Sequence, residues 1–221
     1  MISGIAFPNP RRAADHGLLA VGGDFRPLIL LEAYAQGIFP WPSEEMPYAW
    51  FSPNPRLLLR PEELRISRSL RKALKRKPYQ VTFDTAFEAV IHACANVYRQ
   101  DQGGTWISQD LIDGFLELHH MGFAHSVETW QEGVLVGGLY GLSLGSMFCG
   151  ESMFHRADNA SKIAFVHLVQ RLAAWDFHFV DCQVHTPHLA AFGAEEWPRD
   201  LFLDALEKAI IEPTHQGLWT L

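Results

Sequence analysis

The sequence predicts an α+β protein. A small N-terminal α/β domain would occupy residues 1–63. A larger domain, with a mixed, mostly antiparallel sheet flanked by helices, would occupy residues 64–221. Three observations predict this. Gly and Pro crowd residues 1–63 and cut them into short elements joined by turns. Apolar residues recur at helical spacing through residues 80–123, which read as mainly helical. From Ala124 the period changes to two, and a strand–helix–strand unit follows over residues 145–184.

A chain of 221 residues can bury a substantial core, and 48% hydrophobic with 19% charged residues argues against disorder. The formal net charge of −7 excludes a uniformly basic nucleic-acid binder but leaves room for a local basic patch. Met1–Pro10 has no charged segment followed by an apolar one, and no apolar run is long enough to cross a bilayer. The three cysteines, Cys94, Cys149 and Cys182, are odd in number and widely spaced. That argues against a disulfide framework and for a reducing, cytoplasmic setting.

In the first domain, Pro27–Gln36 reads as a short helix, opened by Pro27 and closed by Gly37. Gly37–Pro42 is too proline-rich for regular structure, and Leu57–Leu59 reads as a strand. Trp41, Trp50 and Phe51 look exposed and could form one wall of a site; filling a small core is the plainer alternative. Residues 65–77 carry seven basic residues and no acid. A helix beginning near Ser67 places Arg68, Arg71, Lys72 and Lys75 on one face, with Arg76 following, and turns Leu70, Ala73 and Leu74 to the core. A solvated face is the common fate of such a run. Yet seven of the chain's 18 basic residues in one helix of an acidic protein suggest a dock for a polyanion.

Thr85–Val97 and Asp110–Met121 read as helices, and a turn at 103–107 presents Trp106. Ala124–Trp130 and Val134–Leu144 form a hairpin about Gln131–Gly133. Gly137-Gly138 within it suggests a bulge or a close approach of backbones. The unit that follows is strand Gly145–Gly150, a helix over 160–175 announced by Asp158-Asn159, and strand Phe179–Val184. His188–Gly193 and Leu201–Ile211 add helix, and Gly217–Trp219 is a tail.

Glu151 stands among Met147, Phe148, Met153 and Phe154, so its carboxylate must find a hydrogen bond or shift its pKa. A structural bond to the following helix is the plainer alternative. Along a strand, Asp181 and Gln183 point the same way, roughly 7 Å apart. The chemistry therefore gathers in one apolar pocket with Glu151, Asp181 and Gln183 at its mouth. Cys182 alternates away from that face, and both Cys149 and Cys182 read as core. His185-x-x-His188 and His119-His120 lack the spacing of a zinc site, and no metal is expected. Neither a phosphate-cradling loop nor a Gly-x-Ser-x-Gly elbow is present.

Eight short motifs carry a resemblance. They are Gly-Leu-Leu-Ala-Val-Gly-Gly-Asp at 17–24, Tyr-x-x-Gly-Ile-Phe-Pro-Trp at 34–41, Ser-Pro-Asn-Pro-Arg at 52–56, Gly-Thr-Trp-Ile at 104–107, His-Ser-Val-Glu at 125–128, Gly-Glu-Ser-Met-Phe at 150–154, Asn-Ala-Ser-Lys at 159–162 and Asp-Cys-Gln at 181–183. In that order, over nearly the whole chain, they resemble leucyl/phenylalanyl-tRNA–protein transferases. The resemblance implies a C-terminal domain of the acetyltransferase-like (GNAT) fold. It implies transfer of Leu or Phe, less readily Met, from aminoacyl-tRNA to an N-terminal Arg or Lys of acceptor proteins, which marks them for degradation. No cofactor, no membrane and a monomer go with it. Residue by residue it assigns Asp181 and Gln183 to the catalytic pair and Glu151 to a substrate-binding carboxylate. Trp41 and Trp106 match aromatic site positions; Leu139, Phe148, Met153, Phe165, Leu168 and Val180 line the amino-acid pocket. The basic helix, Arg68 to Arg76, holds tRNA phosphates. Phe165 and Leu168 exchange an aromatic and an aliphatic relative to other members.

Two other classes compete. An acyl-CoA-dependent N-acetyltransferase needs a Gly-rich turn at the helix start to hold a pyrophosphate, and residues 155–161 contain no glycine and one acid. A non-catalytic RNA-binding module leaves Glu151, Asp181 and Gln183 unexplained.

Overall fold

The computed structural model describes residues 6–14, 16–97 and 106–220. Its strands are β1 (Leu18–Val21), β2 (Phe39–Pro40), β3 (Ala49–Phe51), β4 (Arg56–Leu59), β5 (Gln80–Phe83), β6 (Ala124–Gln131), β7 (Val134–Leu144), β8 (Met147–His155), β9 (Phe179–Gln183) and β10 (Glu195–Trp197). Its helices are α1 (Pro27–Ala35), α2 (Arg68–Lys75), α3 (Phe87–Ala95), α4 (Gln109–His120), α5 (Ala160–Ala174), α6 (Pro187–Ala190) and α7 (Arg199–Ala209).

A three-stranded sheet runs β1-β3-β2, and a seven-stranded sheet runs β10-β4-β9-β8-β7-β6-β5. Every pairing in the larger sheet is antiparallel except β8–β9. A parallel pair cannot be joined by a hairpin, and α5 makes the crossover. One apolar cluster gathers Leu30, Trp50, Val90, Phe115 and Phe202 with Met147 and Cys149 of β8. A second gathers Leu70, Val166 and Leu172 with Phe148 of β8. Adjacent β8 residues thus feed opposite faces of the sheet, as the two-residue period requires. A Cβ on Gly137 would lie 2.6 Å from the Cβ of Ala160, so glycine is what lets α5 start hard against β7.

Of three register shifts in this sheet among the described residues, one leaves Val136 of β7 as an extra residue and the other two shape the region around β8 and β9. Along β7–β8 the register passes from Tyr140↔Ser152 to Gly141↔Gly150, which leaves Glu151 as the extra residue. Along β4–β9 it passes from Leu58↔Asp181 to Leu57↔Gln183, which leaves Cys182 as the extra residue. Past the bulge at Glu151 the faces exchange: Phe154 joins the first cluster and Met153 packs against the second. Parallel pairing of β8 with β9 ends at Cys149↔Asp181.

Several expectations need correction. The strand expected over 145–150 is β8, which starts at Met147 and continues to His155. Gln80–Phe83, placed in a mainly helical stretch, is a strand paired with β6. Gly37–Pro42 is not wholly irregular, since Phe39–Pro40 pairs with β3. Asp158-Asn159 supplies no side-chain cap; Asn159 adopts a left-handed conformation with φ 62°. The helix expected over 188–193 is a single turn, Pro187–Ala190, capped by Thr186. Of the two readings open for Trp50, the core-filling one holds: it is 1% exposed and packs in the first cluster. The tail is docked: the Trp219 N–H donates to Asp84 Oδ2 at 2.7 Å, and its ring stacks on His125. Helices α1 to α4 and the β6–β7 hairpin lie where the sequence puts them, within two residues at each end. Of the turn expected at 103–107, residues 103–105 lie outside the described residues. No helix among the described residues is long and apolar enough to cross a membrane.

Candidate active site

Beyond Cys149 and Asp181, where β8 and β9 are no longer paired, a cavity of about 390 Å³ opens. That volume is in the range of small-ligand sites. Its walls come from both faces of the sheet. Phe39 and Tyr140 belong to the first apolar cluster, and Leu139, Phe148, Phe165, Leu168 and Val180 to the second.

Glu151 is the one carboxylate among the described residues lining the cavity, and the bulge in β8 puts it there. Gln183 Nε2 donates to Glu151 Oε1 at 2.8 Å. Gln183 ends β9 in a left-handed conformation, φ 63°, which a non-glycine residue adopts only when its surroundings impose it. The restraint is visible: its backbone N–H donates to Asp181 Oδ1 at 2.9 Å. Asp181 is in turn gripped by Arg56, with Nε to Oδ1 at 2.8 Å and Nη2 to Oδ2 at 2.6 Å. Both partners are 1% exposed. A buried cation needs its donors matched. Arg56 Nη1 donates to the Gly37 carbonyl at 3.1 Å, and the guanidinium lies 4.7 Å and 4.5 Å from the ring centres of Phe39 and Phe202. The Cys149 thiol sits at the centre, 3.5 Å from both Glu151 Oε1 and Asp181 Oδ2.

Burial pushes the Glu151 carboxyl up to about 7; the nearby Tyr34 phenol and Cys149 thiol pull it down, and the Asp181 charge adds to the rise. Burial, reinforced by the Asp181 charge, holds both the Cys149 and Cys182 thiols above their usual range. Neither is a thiolate nucleophile at neutral pH. The site therefore offers a carboxyl able to change charge near neutrality, an amide fixed by it, and apolar walls.

The family model described as leucyl/phenylalanyl-tRNA protein transferase matches residues 58–207, and the model of that family's N-terminal domain matches residues 23–54. The chain belongs to the leucyl/phenylalanyl-tRNA protein transferase family. The leucyl/phenylalanyl-tRNA–protein transferase of Myxococcus xanthus is 56% identical over 97% of this chain and 92% of its own length. That of Desulfatibacillum aliphaticivorans is 56% identical over 98% and 93%. The solved structure of L-PGS from Bacillus licheniformis aligns with 62% of this chain and 50% of that one at 12% identity and a TM-score of 0.40, too slight a likeness to argue from.

All eight aromatic and aliphatic positions taken from the family resemblance border the cavity: Trp41, Trp106, Leu139, Phe148, Met153, Phe165, Leu168 and Val180. Of the three polar residues, Glu151 and Gln183 border it and Asp181 does not. The expectation that Asp181 and Gln183 share a face assumed a flat strand. The bulge at Cys182 and the left-handed Gln183 break the alternation, and Cys182 borders the cavity rather than turning away. Cys149 is buried, as expected of a core residue, but amid polar groups.

Sequence reasoning missed Arg56 and Tyr34 as parts of the site. A signal for Arg56 was present: an arginine opening the apolar run Arg56–Leu59 needs a buried acid. Helix α2 is capped by Ser67, whose Oγ accepts from the Leu70 N–H at 3.2 Å. Arg68, Arg71, Lys72, Lys75 and Arg76 are exposed, and none forms a salt bridge among the described residues.

Proposed function

We propose that the protein is an aminoacyltransferase that moves Leu or Phe, less readily Met, from aminoacyl-tRNA to the N-terminal Arg or Lys of acceptor proteins and so marks them for degradation. The observation that carries this reading is an apolar cavity whose edge holds one carboxylate bonded to a glutamine. A leucine-like side chain fits the walls. The α-amino group attached to that side chain needs an acceptor, and Glu151 supplies it. Gln183 gives its Nε2 to Glu151, so its carbonyl oxygen is left to receive a hydrogen bond from the attacking amine. Asp181 acts one step back in this reading, holding the Gln183 backbone while Arg56 holds Asp181.

The donor is an ester and the product an amide, so the step runs without ATP, metal or other cofactor. The amine nitrogen bonds the ester carbon, the carbon–oxygen bond to the ribose breaks, and the amine's proton ends on that ribose oxygen. A glutamine is too weak a base to take the proton outright. The neighbouring ribose hydroxyl of the donor carries it across. Holding amine and ester in line supplies up to ~7–11 kcal/mol of the barrier.

The exposed cations of α2 would grip the acceptor stem of the tRNA by its phosphates, without reading bases. An acetyltransferase-like (GNAT) architecture for the larger sheet belongs to this proposal; the parallel β8–β9 pair within an otherwise antiparallel sheet supports it. So do a small N-terminal domain over residues 1–63 and a catalytic domain over residues 64–221, a cytoplasmic setting where charged tRNA is found, and action as a monomer. The test is a competition of donors. The protein is incubated with radiolabelled Leu-tRNA or radiolabelled acetyl-CoA and a peptide beginning with Arg. Label is expected to reach the peptide from the tRNA; label from acetyl-CoA alone would overturn the reading.

A further inference from the structure

The carboxylate at the edge of the cavity is only half accounted for. Glu151 Oε1 takes the Gln183 amide, whereas Oε2 is sealed from water and has no hydrogen-bond partner. Behind it, on α1, Tyr34 is 2% exposed, and its Oη is likewise sealed and unpartnered. The two groups are close enough that each alters the other's protonation. They are also complementary. A phenol donates to an ionised carboxylate, and a protonated carboxyl donates to a phenol oxygen. Two unmatched polar atoms that influence each other in a dry place are costly, and a hydrogen bond between them would satisfy both.

We infer that Tyr34 is a positioning residue for the donor, acting through Glu151: its phenol holds the second carboxylate oxygen, so that the cavity meets the donor's α-amino group with an anion. This rests on the aminoacyltransferase reading. Oε1 already takes the Gln183 amide and the Cys149 thiol, so the guest's place is the further lone pair of Oε2. Other groups face Glu151. Cys149, on the same strand, is a weak donor, and Tyr140 of β7 lines the same cavity. From β9, Asp181 is an anion that opposes ionisation, and Gln183 is bound to the other oxygen. From β4, Arg56 favours ionisation, but its guanidinium is bound to Asp181. Without the phenol, burial acts with less opposition, and the carboxyl keeps its proton to higher pH. A neutral acid then pairs poorly with an ammonium group.

The test is Tyr34→Phe, which keeps the ring and removes the hydroxyl. The Glu151 carboxyl is followed by carbon-13 NMR in protein without substrate. Its midpoint is expected to rise by on the order of one pH unit. The Michaelis constant for Leu-tRNA is expected to rise roughly fivefold to tenfold at pH 6.5 and to return near the wild-type value at pH 8.5. An unchanged midpoint overturns the inference. So does a loss of activity that is equal at every pH, which would make Tyr34 structural. Should Tyr34→Phe fail to fold, wild-type protein carrying 3-fluorotyrosine, a more acidic phenol, is expected to lower the midpoint; no change overturns the inference. If the wild-type protein transfers no leucine at all, the aminoacyltransferase reading fails, while the titration still decides whether Tyr34 governs Glu151.

Discussion

Glu128 and Glu151 are buried carboxylates in the same sheet, and they live in opposite conditions. Glu128 is 0% exposed and accepts from the hydroxyls of Ser126, Thr82 and Thr85. It also accepts from the backbone N–H of Ala86 at 3.4 Å, at the start of α3. It therefore caps a helix from a neighbouring strand, where a negative charge is favoured. The Trp130 indole N–H donates to the Thr82 hydroxyl at 2.8 Å and closes the network. Glu151, by contrast, has one strong donor, one unpartnered oxygen and open space beside it. The difference separates two uses of a buried acid. A carboxylate fully supplied with donors is part of the fold; one left short at the edge of a cavity is arranged for a guest.

The sharpest way to break this comparison is to remove each carboxylate. Glu128→Ala strands three hydroxyl donors and uncaps α3, and is expected to destabilise the protein by roughly 3–5 kcal/mol in denaturant unfolding. A loss under about 1 kcal/mol would mean that the network is not structural. Glu151→Gln is expected to do the reverse. The Glu151 carboxyl titrates at about 7 in the folded protein against 4.5 as its ordinary value. Between those values the folded state holds more protons than the unfolded state, so wild-type stability falls as pH rises through that window. The glutamine variant lacks this fall. It is expected to gain up to about 3 kcal/mol over wild type at pH 8 and nothing at pH 4, while leucine transfer drops at least about tenfold. A variant that loses stability at pH 8, as Glu128→Ala does, would make the two acids alike.

The smallest expected effect concerns the exposed helix. Charge reversal at Arg71, Lys72 and Lys75 is expected to raise the Michaelis constant for charged tRNA several-fold and to flatten its salt dependence by about 2–3 in log–log slope. The melting temperature should stay put, since all three side chains are exposed. An unchanged Michaelis constant would remove α2 from the account.

Several elements were legible in the sequence: α3 and α4 through an apolar stripe that they bury, α1 through Pro27 and Gly37 at its ends, and the β6–β7 hairpin through its turn. The cavity wall was legible through family motifs, not through period. What stayed hidden is the geometry at the polar edge. Alternation along a strand presumes no extra residue, and the chain inserts one at Glu151 and another at Cys182. No local pattern in the sequence marks either. The partner of Asp181 lies 125 residues away, at Arg56, and Tyr34 lies on α1, far ahead of Glu151 in the chain. Pairings at that separation are decided by packing, which a one-dimensional pattern does not encode.

The most direct measurement is a structure of the complex with leucyl-adenosine in which an amide replaces the labile ester. The leucyl side chain is expected to lie against Leu139, Phe148 and Leu168, with its α-amino group on Glu151. A mimic bound elsewhere on the surface, with the cavity still empty, would contradict the account.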